Sequence, residues 1–140
     1  MQVTAARLHD QLCFALYSAS SHLTAIYRTI LEPMGLTYPQ FVVMMALWNG
    51  DGVSITEVAN QTGLSKATLT PLLKKLEEKG LVSLERVPTN ERQKKVSITK
   101  EGWTLASQSI TAADAAFHAS GLTPKQADTI ITLCNKIRHN

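Results

Sequence analysis

The chain has 140 residues, 44% of them hydrophobic and 18% charged, which suits one packed domain and argues against a disordered segment. No apolar run approaches the roughly 20 residues a bilayer span needs. The N-terminal "MQVTAARLHD" lacks a secretory signal pattern, and two cysteines are too few for a disulfide framework, so a cytoplasmic protein with reduced thiols and no membrane partner is expected.

A first helix is expected from His9 or Asp10 to Leu31, because Leu8, Leu12, Leu16, Ala19, Leu23, Ile26 and Ile30 recur at three- and four-residue steps. Asp10 is a plausible N-cap for it. "EPMG" breaks the pattern, and a second helix follows over Tyr38 to Gly50, with Pro39 at N1 and the Met44-Met45 pair packing it. "SITEVANQTG" predicts a short third helix, with Ser54 and Glu57 at capping-box spacing and Gly63 at its end. The fourth, "SKATLTPLLKKLEEKG", has Ser65 as cap and an apolar stripe of Leu69, Leu72, Leu73 and Leu76. Pro71 should distort its first turn or delay its regular start. Strands over Leu81 to Val87 and Lys94 to Thr99 flank a polar tip and predict a hairpin. A fifth helix is expected from Lys100 to Ala119. A sixth runs from Pro124 to Arg138, with Thr123 as N-cap. Trp48 and Trp103 read as core or boundary residues.

The charge is concentrated. The formal net charge is +3, yet Lys66 to Gly102 holds nine Lys/Arg against five Asp/Glu, a net +4, and the rest holds five against six, a net −1. An excess confined to one segment favours an anionic partner there. Two short helices joined by a Gly-containing turn and followed by a hairpin describe a winged helix-turn-helix. The expected fold is therefore mainly α with a small β-hairpin. Opposite its leucine stripe the fourth helix carries Lys66, Thr68, Thr70, Lys74 and Lys75. With Ser65 these residue types suit base edges near the helix start and phosphates further along. Arg86 and Arg92 flank the hairpin tip, where a thin loop can place a guanidinium in a minor groove. For any single lysine the alternative is a solvated helix face.

Cys13 sits near the start of the first helix and has two readings. If Asp10 caps that helix, Cys13 is N3, and the positive end of the helix dipole favours the thiolate. Leu12, Phe14, Leu16 and the Asp10 carboxylate oppose ionisation, and then Cys13 is a small core hydrophobe. His9, His22, His118 and His139 are scattered without ligand spacing, so neither a metal site nor a cofactor is expected.

The region from Tyr38 to Gly102 resembles the MarR family of winged-helix regulators. Its stretch "PTNERQKKVSITKEG" resembles that family's wing, in which an Asp two residues before an Arg steadies the Arg. Here Arg92 holds the Arg position, but Asn90 stands where the family has Asp, and an amide cannot make the same charge-assisted bond. The resemblance implies a homodimer on a pseudo-palindromic double-stranded DNA operator. Residues 1–36 and 101–140 would supply dimerisation helices and 37–100 the DNA-binding region.

"QLCFALYSAS", "GLTYPQ" and "TLTPLLKKLE" further resemble the organic-hydroperoxide-sensing, OhrR-type branch. That resemblance implies that Cys13 is the redox-sensing thiol and that Tyr27 and Tyr38 hydrogen-bond its sulfur. Fourteen residues of one helix separate Cys13 from Tyr27, about 21 Å, so their contact would need the partner chain. Oxidation to a sulfenic acid, then condensation with a thiol, would release the operator. Cys134 is a possible resolving thiol, although its spacing with Ile131 and Ile137 equally fits packing; a low-molecular-weight thiol is the other route. Two further functions compete: a MarR-type repressor induced by a small aromatic ligand, with Cys13 structural, and a thiol peroxidase.

Overall fold

A computed structural model describes residues 3–88 and 90–140, and of 90–92 the backbone only. Among the described residues seven α-helices and three strands follow one another as α1 (Leu12–Leu31), α2 (Tyr38–Trp48), β1 (Val53–Ser54), α3 (Ile55–Thr62), α4 (Lys66–Glu78), β2 (Val82–Val87), β3 (Asn90–Ile98), α5 (Lys100–Thr104), α6 (Ala106–Ala119) and α7 (Pro124–Arg138), with short 3-10 turns at Leu8–Asp10 and Glu32–Met34. The sheet is antiparallel in the order β1-β3-β2. Among the described residues no single helix is long and apolar enough to cross a membrane.

The core lies where the periodic apolar faces converge. Leu31 from α1, Phe41, Val43, Met44 and Leu47 from α2, Val58 from α3, and Leu69, Leu73 and Leu76 from α4 are fully buried. Val96 of β3 closes it from the wing side. α2, α3 and α4 thus bury their apolar faces here, the arrangement that removes most apolar area from water, whereas α1, α6 and α7 keep large apolar side chains such as Leu12, Ile110 and Ile131 exposed. Helix caps agree with the sequence at Ser54, Ser65 and Thr123, whose hydroxyls accept from the N–H groups of Glu57, Thr68 and Gln126.

Five local expectations are corrected. Asp10 does not cap α1. Leu8–Asp10 form a 3-10 turn, the Asp10 carboxylate lies 3.8 Å from Arg7 Nε, and Gln11 is the N-cap, with its own amide turned back to the Arg7 carbonyl. Cys13 is consequently N2 rather than N3. Thr37 caps α2, so Pro39 is N2 and Tyr38 is N1. α4 starts at Lys66 and runs through Pro71 without the expected delay. Both Pro71 and Ala67, whose carbonyl loses its partner, are exposed, and water can satisfy that carbonyl.

The expected helix over Lys100 to Ala119 is two helices broken at Leu105. The Gly102 carbonyl accepts from the Trp48 indole N–H at 3.1 Å and from the Leu105 N–H at 3.3 Å, so it is diverted from the i+4 partner a continuous helix would supply. Finally, the hairpin is a three-stranded sheet. Val53 and Ser54 pair with Val96 and Lys95, and Asp51 Oδ1 accepts from both Gly52 N–H and Ile98 N–H at 2.8 Å. Two residues are too short a run to show strand alternation in a sequence.

A winged-helix face and an aromatic pair

α3 and α4 meet at Gly63, which adopts φ +75 as the C-cap of α3. That left-handed conformation suits glycine and turns the chain sharply into Ser65. The burial of Leu69, Leu73 and Leu76 forces the other side of α4 outward, and Lys66, Thr68, Thr70, Lys74 and Lys75 are all exposed, as the sequence predicts. Ser65 Oγ donates to Thr68 Oγ1 at 3.0 Å and Thr70 Oγ1 donates to the Lys66 carbonyl at 2.9 Å. These hydroxyls are held by the helix with lone pairs free for an incoming donor.

A groove of about 400 Å³ runs between the start of α3 (Ser54, Ile55, Thr56), α4 (Lys66, Thr70) and β3 (Gln93, Lys94). Sequence reasoning did not single out Thr56, Gln93 or Lys94; the strand register brings the last two to α4. That register sets Arg86 directly opposite Lys94. Two like charges directly opposite each other on one cross-strand pair destabilise the sheet. Both are exposed, so the wing presents two adjacent positive side chains to solvent. The expected wing residues Asn90 and Arg92 belong to β3, but their side chains lie outside the described residues.

The end of α4 is fastened on two sides. Glu77 Oε2 accepts from the Leu84 N–H of β2 at 3.1 Å, and the Lys79 ammonium donates to Gly35 O and Gln40 Oε1. The end of α4 is thus hydrogen-bonded both to the first wing strand and to the α1–α2 corner.

The second feature lies at the α1–α2 corner. The Tyr27 and Tyr38 rings are 4.8 Å apart between centroids, and Tyr27 also meets Phe41 at 5.6 Å. Both tyrosines are half-buried. Beside them Thr24, Arg28, Leu36, Thr37, Tyr38 and Pro39 line a recess of about 440 Å³. Cys13 is exposed at the other end of the unbroken α1, so it does not fill the core of its own chain, and it cannot reach Tyr27 of its own chain. Cys134 is half-buried on α7. The fold brings the two tyrosines together and leaves Cys13 far from them along α1, while Tyr27 shares a pocket with Ile130 and Ile131 of α7, the helix that carries Cys134.

Burial, and then the neighbouring Tyr38, hold the Tyr27 hydroxyl above the ordinary value of 10.0. The folded state therefore keeps this proton longer than the unfolded chain does. Its stabilising effect is complete below about pH 10 and is lost as pH rises through the folded value. Melting temperatures measured from about pH 8 to 11 are expected to fall more steeply for the wild type than for Tyr27→Phe.

An exposed Thr/Lys helix face, a preceding capped helix and a basic wing define a winged helix-turn-helix protein. The comparisons make this specific. The family described as transcriptional regulator SarA/Rot matches residues 25–108. The organic hydroperoxide resistance transcriptional regulator of Bacillus subtilis is 34% identical over 104 residues, covering 74% of this chain and 71% of the relative. The regulator MgrA of Staphylococcus aureus is 31% identical over 133 residues, covering 94% and 90%. Among solved structures, overoxidized AbfR bound to DNA superimposes with a TM-score of 0.78 at 30% identity, covering 95% of this chain and 94% of that one. The chain belongs to the SarA/Rot family of MarR-like winged-helix transcriptional regulators.

Proposed function

We propose that this regulator binds a pseudo-palindromic DNA operator as a homodimer, represses from it, and releases it when an organic hydroperoxide oxidises Cys13. The observation that carries the sensing half is the arrangement on α1: an exposed sulfur at one end and a half-buried tyrosine pair about 21 Å away at the other. A second copy laid antiparallel would set each sulfur against the other chain's phenols.

Several features support the partners. Among the described residues the large hydrophobic side chains left exposed, such as Leu12, Leu16, Tyr17, Ile110, Ile131 and Ile137, all lie before residue 37 or after residue 100. An apolar surface confined to these terminal helices suits a dimer interface, with 37–100 left for DNA. The DNA face is the exposed Ser65, Lys66, Thr68, Thr70, Lys74, Lys75 and Arg86, with Arg92 in the same wing. One relative is named for organic hydroperoxide resistance, and AbfR has been solved on DNA in a reduced and an overoxidized form.

The chemistry balances without a cofactor. The Cys13 thiolate attacks one peroxide oxygen, the O–O bond breaks, and the alkoxide leaves as the alcohol after taking a proton. Sulfur is oxidised by two electrons to the sulfenic acid, and the peroxide is reduced. A thiol then displaces water from that acid to form a disulfide; Cys134 of the other chain and a small cellular thiol are the two candidates. The new bond shifts the dimer towards a geometry in which the two α4 helices no longer match the half-site spacing.

The test uses a duplex enriched from a randomised pool by the reduced wild type. Treatment with cumene hydroperoxide is expected to weaken binding on the order of a hundredfold, a shift of a few kcal/mol between the two dimer states. Cys13→Ser should bind equally well before treatment and not respond. Cys134→Ser separates the two resolving routes, since only the Cys134 route gives a cross-linked dimer on a non-reducing gel. A Cys13→Ser protein that still loses the duplex on treatment would end this reading.

A second reading rests on the 440 Å³ recess, whose lining combines Arg28 and Tyr38 with the apolar Leu36 and Pro39. A small aromatic carboxylate would fit that chemistry. Under it, induction survives Cys13→Ser and is lost in Arg28→Ala.

A further inference from the structure

The residue that ends α4 is tied to the corner between α1 and α2. Lys79, the C-cap of α4, donates from its ammonium to the Gly35 carbonyl at 2.5 Å and to Gln40 Oε1 at 2.9 Å. Both acceptors belong to the α1–α2 corner. Gln40 is 5% exposed and is the one buried polar side chain among the described residues. Its Oε1 also accepts from the Thr37 N–H at 3.1 Å, and its own N–H donates to Thr37 Oγ1 at 3.3 Å. Gln40 is thus held from both sides, and Tyr38, the partner of Tyr27, lies inside the same capping box.

We propose that Lys79 is a positioning residue: it sets the angle of the DNA-reading helix against the α1–α2 corner and does not itself touch phosphate. Glu77 ties the same end of α4 to the wing strand, and the remaining ties between α4 and the core run through Leu69, Leu73 and Leu76, so Lys79 is the directional bond that reaches the α1–α2 corner. Apolar burial holds a helix down but is not directional. A charge-assisted bond to two fixed carbonyl oxygens is directional and short, and it acts at the end of the helix farthest from Ser65. A small rotation about the leucine stripe would move Thr68 and Thr70 relative to the base edges, while leaving the core buried. Because the capping box contains Tyr38, the corner and the reader move together. The ordinary alternative for a lysine at the end of a recognition helix is a phosphate contact, and salt dependence separates the two roles. A phosphate lysine contributes to the slope of affinity on salt; a positioning lysine does not.

The inference rests on α4 being the DNA reader. Full-length wild type, Lys79→Met, Gln40→Met and the double variant are compared on the duplex enriched by the wild type, across a salt series, with thermal melting as the check on folding. Lys79→Met is expected to lose roughly tenfold in affinity with the salt slope of the wild type, as removal of a hydrogen-bonded charge predicts. The double variant should bind no more weakly than the weaker single variant, because both break one linkage. Three results overturn the tether and leave the reader standing: a slope shallower by about 0.9 per lysine removed, unchanged affinity in Lys79→Met, or losses that multiply in the double variant. If Gln40→Met does not fold, the slope and affinity of Lys79→Met decide alone. A wild type that enriches no duplex removes the reader itself, and the tether with it.

Discussion

Between about 50 and 200 mM salt, the affinity of this protein for its operator is expected to fall by on the order of 10³ to 10⁵. The reason is the inventory of exposed cations on one surface. Lys66, Lys74 and Lys75 project from α4, and Arg86 and Lys94 from the wing. Two copies on one operator would bring the phosphate contacts into the range of about six to ten, and each contact releases about 0.9 of a counterion. The Arg86 and Lys94 pair strengthens the expectation, because their mutual repulsion is relieved when phosphate lies between them. Titrations at four or more salt concentrations give the slope directly. Lys74→Ala should flatten it by about 0.9 per copy and weaken all duplexes alike, whereas Thr68→Ala should leave the slope and change which duplex is preferred. A flat response to salt would remove α4 and the wing as the binding surface.

Gly102→Ala is expected to destabilise the fold by about 3 kcal/mol or more, which is a large share of the stability of a domain this size. Helix propensity alone predicts the opposite sign, a gain of about 1 kcal/mol. The sign is reversed by packing. A Cβ at position 102 would overlap the Leu81 carbonyl oxygen and come within 2.6 Å of Ile98 Cγ2. The first neighbour is backbone and cannot rotate away, and both lie where the wing strands join the helices. Gly102 is buried; its N–H donates to Thr99 Oγ1 and its carbonyl accepts from the Trp48 indole N–H. Moving α5 to relieve the overlap would therefore break a cap and an indole bond as well. Urea denaturation should show a lower midpoint with an unchanged slope, and a melting temperature lower by about 10 °C. A stabilised Gly102→Ala would mean that α5 is not seated against Leu81.

The fold was largely legible because its elements are amphipathic and bounded by strong punctuation. The leucine stripe of α4 marks both its buried side and, by elimination, its outward Thr/Lys face. Pro39, Gly63, Gly80 and the Thr123-Pro124 pair mark ends that the structure keeps to within a residue or two. The start of α1 is not legible in the sequence, because Asp10 is a good cap by type and residue type does not reveal that Arg7 engages it. The break at Leu105 was hidden for a similar reason. Lys100 to Ala119 has helix-forming composition throughout, and what interrupts it is an indole 54 positions away in the chain.

The candidate site divides along the same line. Cys13, Tyr27, Tyr38 and the cations of α4 stand out in the sequence by residue type and position. Periodicity also determines that the α4 lysines face outward, since a helix buries one stripe and exposes the other. Only the tertiary structure decided that the Tyr27 and Tyr38 rings meet at the α1–α2 corner, that Arg86 faces Lys94, that Val53 and Ser54 complete the sheet, and that Lys79 turns away to Gly35 and Gln40. The physical reason is range. Helix period, caps and breakers act within about four residues and are written locally, whereas each of these contacts joins segments brought together by burial of a shared core.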